Sequence, residues 1–231
     1  MNSLISAEEA GVIALSLRVA LASVAASLPL AIATAWLLAR RDFPGKALVD
    51  ALVHLPLVVP PVVVGYGLLL LFGRHGPLGA LLAPLGIEFA FRWTGAALAA
   101  AVMGFPLVVR AIRLSMEAID PRLERAARTL GAGPWRAFLT VTLPLAWPGL
   151  VTGALLGFAR SLGEFGATIT FVASIPGETQ TLPLAIYGAT QSPGGDAQAL
   201  RLSILSVLLS LGALVASEWL VRRGAGRREH A

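Results

Sequence analysis

No cysteine occurs in the 231 residues, which excludes disulfides and thiolate metal sites and leaves the redox compartment unread. Charge is scarce too. Only 13% of the residues are Asp, Glu, Lys or Arg, against about 25% in an ordinary soluble domain, too few to coat a water-facing globule. The chain lacks a G-x-x-x-x-G-K-[ST] phosphate loop, so any nucleotide must be bound by another subunit. It shows no internal repeat, no His/Asp/Glu cluster at metal-ligand spacing, and no apparent nucleophile-base set. A soluble domain, a self-contained nucleotide motor and a metal centre are all left without their chemistry, and a membrane enzyme has no catalytic constellation to work with.

What remains is apolar: 56% of the residues are hydrophobic. Five runs reach or approach the roughly 20 apolar residues a spanning helix needs. They are Val19–Ala39, Ala51–Phe72 with His54 inside it, Trp93–Val109, Ala137–Ala159 and Leu202–Val221. The expected fold class is an all-α membrane protein of about five transmembrane helices, some kinked by the 15 prolines. The N-terminal residues show neither the basic region nor the short apolar stretch of a cleaved signal, so the first helix is expected to be retained.

The arginines orient the bundle. Arg40, Arg41 and Lys46 lie between the first two runs, six arginines lie between Arg110 and Arg136, and Arg222, Arg223, Arg227 and Arg228 close the chain. Basic residues collect on the cytoplasmic side. With five crossings all three groups fall on one side, which places the N-terminus outside and the C-terminus in the cytoplasm. The net charge of +5 is thereby explained by topology, and nucleic acid is not an expected partner. Trp36 and Trp219 read as interfacial anchors, and His54 as a hydrogen-bonded structural residue.

Two stretches do not behave as plain spans. Residues 165–193 are apolar but broken by Pro176, Pro183 and several glycines. Irregular backbone at membrane depth is tolerated only inside protein or beside a watery cavity. The stretch is expected to complete a bent fourth span and add a re-entrant or outer-surface element. Just before it, Glu164 is a charge within a span, which normally faces the bundle interior, and Arg160 stands four residues earlier. Two roles are open: an ion pair that holds the helix, or a gate. Being negative, Glu164 is not expected to bind an anion. Gly163 and Gly166 flank it. Pro60 and Pro61, with Gly65 and Gly67, should kink the second span near its middle and free backbone groups to line a cavity. Pro60, Pro61, Gly163, Glu164 and Gly166 are therefore the candidate pathway or gate residues.

The second stretch is "LERAARTLGAGPWRAFLTVTLP", Leu123 to Pro144, in the cytoplasmic segment 116–139 and the run after it. Asp120 is an N-cap candidate with Pro121 at the first helical position, and Glu124 is placed to reach back in capping-box fashion. Leu123, Ala126, Ala127 and Leu130 make an apolar stripe, Arg125 and Arg128 face elsewhere, and Gly131 can end the helix in the left-handed conformation. Such a helix either lies on the membrane surface or enters a groove on a cytoplasmic partner.

Ala126-Ala127, three residues, Gly131, nine residues, then Val141-Thr142-Leu143-Pro144 resembles the "EAA" loop of binding-protein-dependent ABC importer permeases. In one respect it departs from them: the family's Glu precedes the alanines directly, whereas here Arg125 does and Glu124 lies one earlier. "ARSLGEFGATITFVASIPGETQTLPLAIYGAT", "RRDFPGK" and the Pro-Pro of the second run are similar to the molybdate branch. The resemblance spans nearly the whole chain and implies a single permease domain, 1–231, of the ABC importer type I fold, with 116–139 as its coupling loop. It implies an inner-membrane subunit, not itself an enzyme, that imports molybdate or tungstate. Glu124, Ala126, Ala127, Gly131, Leu143 and Pro144 would couple to the ATPase. The implied partners are two cytoplasmic ATP-binding subunits, which use the ATP and Mg, and one external oxyanion-binding protein; this chain is expected to bind no cofactor. Five helices enclose little by themselves, so a homodimer around a two-fold axis is the simplest assembly. Two alternatives stand: a sulfate/thiosulfate permease of the same family, and a self-sufficient secondary transporter or channel.

Overall fold

A computed structural model describes residues 6–226; for 214 and 216–226 it describes backbone only. The first helix, α1 (Ala7–Arg40), opens on a capping box in which Glu9 N donates to Ser6 Oγ at 3.1 Å and Ser6 N to Glu9 Oε2 at 2.8 Å. It is followed by α2 (Lys46–His54), a 3-10 turn at Leu55–Leu57, α3 (Pro61–Phe72), α4 (Pro77–Leu82) and α5 (Trp93–Glu117). Two short helices, α6 (Pro121–Thr129) and α7 (Pro134–Ala137), lead through a π turn at Phe138–Thr142 into α8 (Leu143–Leu145) and α9 (Trp147–Leu162). The described residues close with α10 (Gly166–Val172), α11 (Leu182–Thr190) and α12 (Asp196–Gly226). The described residues contain no strand.

Among the described residues three helices are each long and apolar enough to cross a bilayer: α1, α5 and the part Asp196–Ala213 of α12. Two further pairs qualify only together, α2 with α3 and the 134–145 segment with α9, which makes up to five spans. The second run is thus not one kinked helix: it breaks at Val58–Pro60 and turns by 108°. The fourth is not the continuous span expected of Ala137–Ala159, since it bends by 68° beside Ala146, between Pro144 and Pro148. Proline at 144 has no N–H for the Thr140 carbonyl, and its ring would crowd that carbonyl in a regular helix. The chain accommodates it by widening into the π turn just before.

Small residues hold the bundle together. In lipid, helix association depends on close van der Waals packing more than on a hydrophobic driving force. Gly149, Gly153 and Gly157 recur every four residues along α9 and face α5: a Cβ at Gly157 would lie 2.7 Å from Val108 Cγ2, and one at Gly149 would collide with Ser115. At the arginine-rich end Ala31, Ala35 and Leu38 of α1 pack with Val108, Ile112 and Met116 of α5, and Phe138, Ala146 and Leu150 join the same cluster. A second cluster sets Val19 and the buried alanines 96, 97, 99 and 100 beside Leu68, Ala167 and Phe171.

Candidate functional site

The segment after α5 folds as its local chemistry dictates. Asp120 Oδ1 accepts from Arg122 N at 2.8 Å and starts α6 ahead of Pro121. At the other end Gly131 takes φ +91°, its N–H bonds the Arg128 carbonyl at 3.1 Å, and Ala132 N bonds the Ala127 carbonyl at 3.0 Å. This paired closure is the Schellman arrangement. Glu124 does not close a capping box onto Asp120 as the sequence suggested. Its Oε2 accepts from Thr142 Oγ1 at 3.2 Å and lies 4.0 Å from Arg40 Nε, while Arg40 Nη2 donates to the Ile119 carbonyl at 3.2 Å. Thr142 is fully buried. One carboxylate therefore ties α6 to the end of α1 and to the turn before Leu143 and Pro144, and Leu143 itself packs on the arginine-end cluster.

The two faces of α6 point in opposite directions. Glu124, Arg125 and Arg128 line a cavity of about 360 Å³ shared with Trp36, Arg40 and Arg41, so the polar face is turned toward α1. On the other side Leu123 is 49% exposed and Leu130 89%, with Ala126 exposed and Ala127 half-buried between them. Trp135, on the next helix, is 78% exposed. A helix resting on lipid would sink its apolar face toward the headgroups. Here the apolar face points away from the protein's own bundle, which favours the groove-seeking reading over the surface-helix one.

A second assembly brings together residues distant in sequence. Pro61 opens α3 and Gly166 opens α10, and a Cβ on Gly166 would stand 2.7 Å from Pro61 Cβ. One turn on, Gly65 lies against the Ala167 backbone, with 2.8 Å from a built Cβ to Ala167 Cα. The helix breaks at Pro60 and at Gly163–Phe165 are thus drawn to one place. Glu164 lies within the second break, buried, with Oε2 2.7 Å from Arg160 Nη1 and Oε1 accepting from Ala167 N at 2.8 Å. Glu164 lies just beyond the end of α9, so the pair spans a helix end and the carboxylate caps α10 at its positive end. Gly163 has open space where a Cβ would be.

The rest of 165–193 is an ordered element. Buried Thr179 accepts from Ile175 N at 2.9 Å and donates to the Ala173 carbonyl at 3.0 Å, where Ala173 adopts φ +57°. Leu182 N then donates to Ser16 Oγ of α1 at 2.7 Å and anchors α11. Among the other sequence candidates, His54 Nδ1 lies 2.8 Å from the Asp50 carbonyl. Trp36 packs edge-on against Phe138, 6.0 Å between centroids, as well as lying near a helix end. The side chains of Trp219, Arg222 and Arg223 are outside the described ones, as are residues Arg227 and Arg228. Sequence reasoning read Arg40 only as a topology charge and Thr142 only as part of the Val-Thr-Leu-Pro pattern, and it missed Thr179 and the contact role of Gly65; these pairings carried no local signal.

Removing the Glu164 carboxylate leaves Arg160 facing a buried site and α10 without its cap. Breaking a buried pair costs about 3–5 kcal/mol, and Arg160 is 28% exposed, so the lower end applies. Glu164→Ala is expected to lower the chain's thermal unfolding temperature markedly, and Glu164→Gln, which can still accept from Ala167 N, to lower it less. Equal temperatures for both variants would remove the capping role.

Apolar broken helices packed on longer ones, with an exposed helix on the arginine-rich side, make a helical bundle of the membrane-embedded class. The fold agrees: a chain of a bacterial alginate ABC transporter, solved in complex with an alginate pentasaccharide-bound periplasmic protein, superposes with TM-score 0.74 at 17% identity, covering 94% of this chain and 80% of that one. Residues 17–225 match the family of binding-protein-dependent transport system inner membrane components, and the chain belongs to it. It is 61% identical over 209 residues to the molybdenum transport system permease protein ModB of Escherichia coli (strain K12), covering 90% of this chain and 91% of the relative. The sulfate transport system permease protein CysT of the same organism is 40% identical over 181 residues, 78% of this chain and 64% of CysT.

Proposed function

We propose that this inner-membrane permease subunit carries molybdate into the cell, in an importer driven by separate ATPases. The cargo rests on the greater and more complete likeness to the molybdenum permease than to the sulfate one. The coupling role rests on one observation, the apolar stripe of α6 turned away from the chain's own bundle. A homodimer encloses the path; two cytoplasmic ATP-binding subunits grip one α6 each and use the ATP and Mg; an external protein delivers the oxyanion. This chain holds no cofactor, and the whole of 1–231 works as one permease domain with 116–139 as its handle.

The geometry supports a direct mechanical route. Ile119 just before α6, and Phe138 just after α7, both sit in the cluster that joins α1, α5 and α9. Glu124, held by Thr142 beside Arg40, fixes α6 to that same cluster. A push on the exposed stripe therefore moves packed helices rather than a loose loop. The motion meets its weak points at the 68° bend by Ala146 and at the breaks beside Pro60 and Gly163. A dianion in bare hydrocarbon is prohibitively costly, so the path must be wet and must bind weakly. Selectivity then belongs mostly to the external receptor.

The test is ATPase stimulation in the purified, reconstituted complex. Receptor loaded with molybdate is expected to stimulate hydrolysis and sulfate-loaded receptor is not; stimulation by sulfate alone would transfer the chain to the sulfate branch. Flux of molybdate through the purified chain alone in liposomes would instead support a self-sufficient transporter.

A further inference from the structure

The cavity between α1 and α6 contains more than the coupling contact needs. Four guanidinium groups, Arg40, Arg41, Arg125 and Arg128, border it together with one carboxylate, Glu124. Glu124 is already engaged by Thr142, and its oxygen comes no nearer than 4.0 Å to Arg40 Nε. Arg40 Nε and Trp36 Nε1 are both buried donors with no hydrogen-bond partner among the described residues, and both belong to residues lining this one cavity. Buried polar groups are nearly always paired, so two orphaned donors amid excess positive charge call for an acceptor that is anionic. The cavity lies where α1 ends at Arg40, directly after the apolar run Val19–Ala39, and Arg41 lies 5.4 Å over the Trp36 ring.

The geometry points to a binding site for the phosphate group of an anionic phospholipid, seated between the end of α1 and the polar face of α6. Guanidinium forks suit phosphate oxygens, the Trp36 indole N–H stands buried and unpaired in a residue of the cavity wall, and basic pockets on the cytoplasmic side of membrane proteins take acidic headgroups. A lipid there would fill the space behind the coupling helix on the face opposite the exposed Leu123–Leu130 stripe, so it would remain bound while a partner is docked. The proposal is independent of which oxyanion is transported.

Native mass spectrometry of the full-length chain, alone and assembled with its ATPase, tests this with phosphatidylglycerol and phosphatidylcholine of the same acyl chains. The expected result is preferential retention of phosphatidylglycerol in both forms, falling roughly tenfold or more in Arg41→Gln/Arg125→Gln, as loss of two cations beside an acidic headgroup predicts. Arg110→Gln, an exposed arginine of α5 outside the cavity, is expected to retain it. Trp36→Phe keeps an aromatic ring against Phe138 while deleting the N–H and shortening the ring system, so a severalfold loss there, with the unfolding temperature unchanged, supports the site even if the double variant misfolds. Equal retention of the two lipids, or retention untouched by both sets of variants, overturns the proposal. Displacement by millimolar inorganic phosphate would assign the same chemistry to a free ion and overturn the lipid source. Loss of the lipid on assembly would give the cavity to the ATPase and likewise overturn it.

Discussion

Leu130→Asp is expected to cut ATP-driven uptake at least tenfold while the chain still inserts at close to its normal level. Leu130 is 89% exposed and ends α6 on the stripe it shares with Leu123 and Ala126. Nothing in the chain's own fold depends on this side chain, so a carboxylate there costs the isolated subunit little. In a partner's groove it would have to shed its water without a counter-charge. Each 1.4 kcal/mol of lost docking energy is about a tenfold drop in affinity, and an unpaired buried carboxylate costs several times that. The backbone offers a parallel series at the next position. Gly131 sits at φ +91°, where alanine costs about 1–2 kcal/mol and proline, fixed near −65°, cannot sit at all. Gly131→Ala should transport at a reduced level and Gly131→Pro not at all. Co-purification with the ATPase and uptake into vesicles are the measurements. Wild-type uptake by Leu130→Asp or by Gly131→Pro would end the assignment of α6 as the coupling element.

Features of α6 were legible in advance because caps and terminators are local: Asp120, Pro121 and Gly131 each act within a few residues of themselves. The Arg160–Glu164 pair was legible for the same reason, a spacing of four. Long-range consequences were not. Pro60-Pro61 announced a break, yet its 108° turn is decided by where α3 finds a partner, and that partner, α10, begins over one hundred residues later at Gly166. Glu124 looked like a cap because Asp120 was the nearest available group; Thr142, eighteen residues on, competes successfully once the π turn brings it alongside. The bend by Ala146 sits between two prolines in a run that hydropathy alone reads as continuous. The four-residue glycine repeat on α9 was available to inspection, but its meaning depends on α5 lying against it.

Gly65→Val is expected to prevent α3 from seating on α10, and with it the formation of the folded subunit. The two helices meet backbone to backbone: a Cβ on Gly65 would strike the Ala167 carbonyl oxygen and stand 2.8 Å from Ala167 Cα, with no flexible side chain to yield. Ordinary core overpacking costs about 1–3 kcal/mol because side chains can shift rotamer; displacing a helix backbone forfeits that relief. Displacement would also pull Ala167 N away from Glu164 Oε1, now 2.8 Å distant, and open the cluster of Leu68, Ala167 and Phe171. Gly67 supplies the internal control, since it lies on the same helix two residues away with nothing within 4 Å of a built Cβ. Gly67→Ala should be neutral or gain up to about 1 kcal/mol from helix propensity. Size-exclusion profiles and unfolding temperatures of the detergent-purified variants measure the difference. Gly65→Ala is expected to fall between wild type and Gly65→Val, because even one methyl group must move the Ala167 backbone. If Gly65→Val unfolds at the temperature of Gly67→Ala, the two half-helices do not touch there, and the convergence of the breaks at Pro60 and Gly163 loses its physical basis.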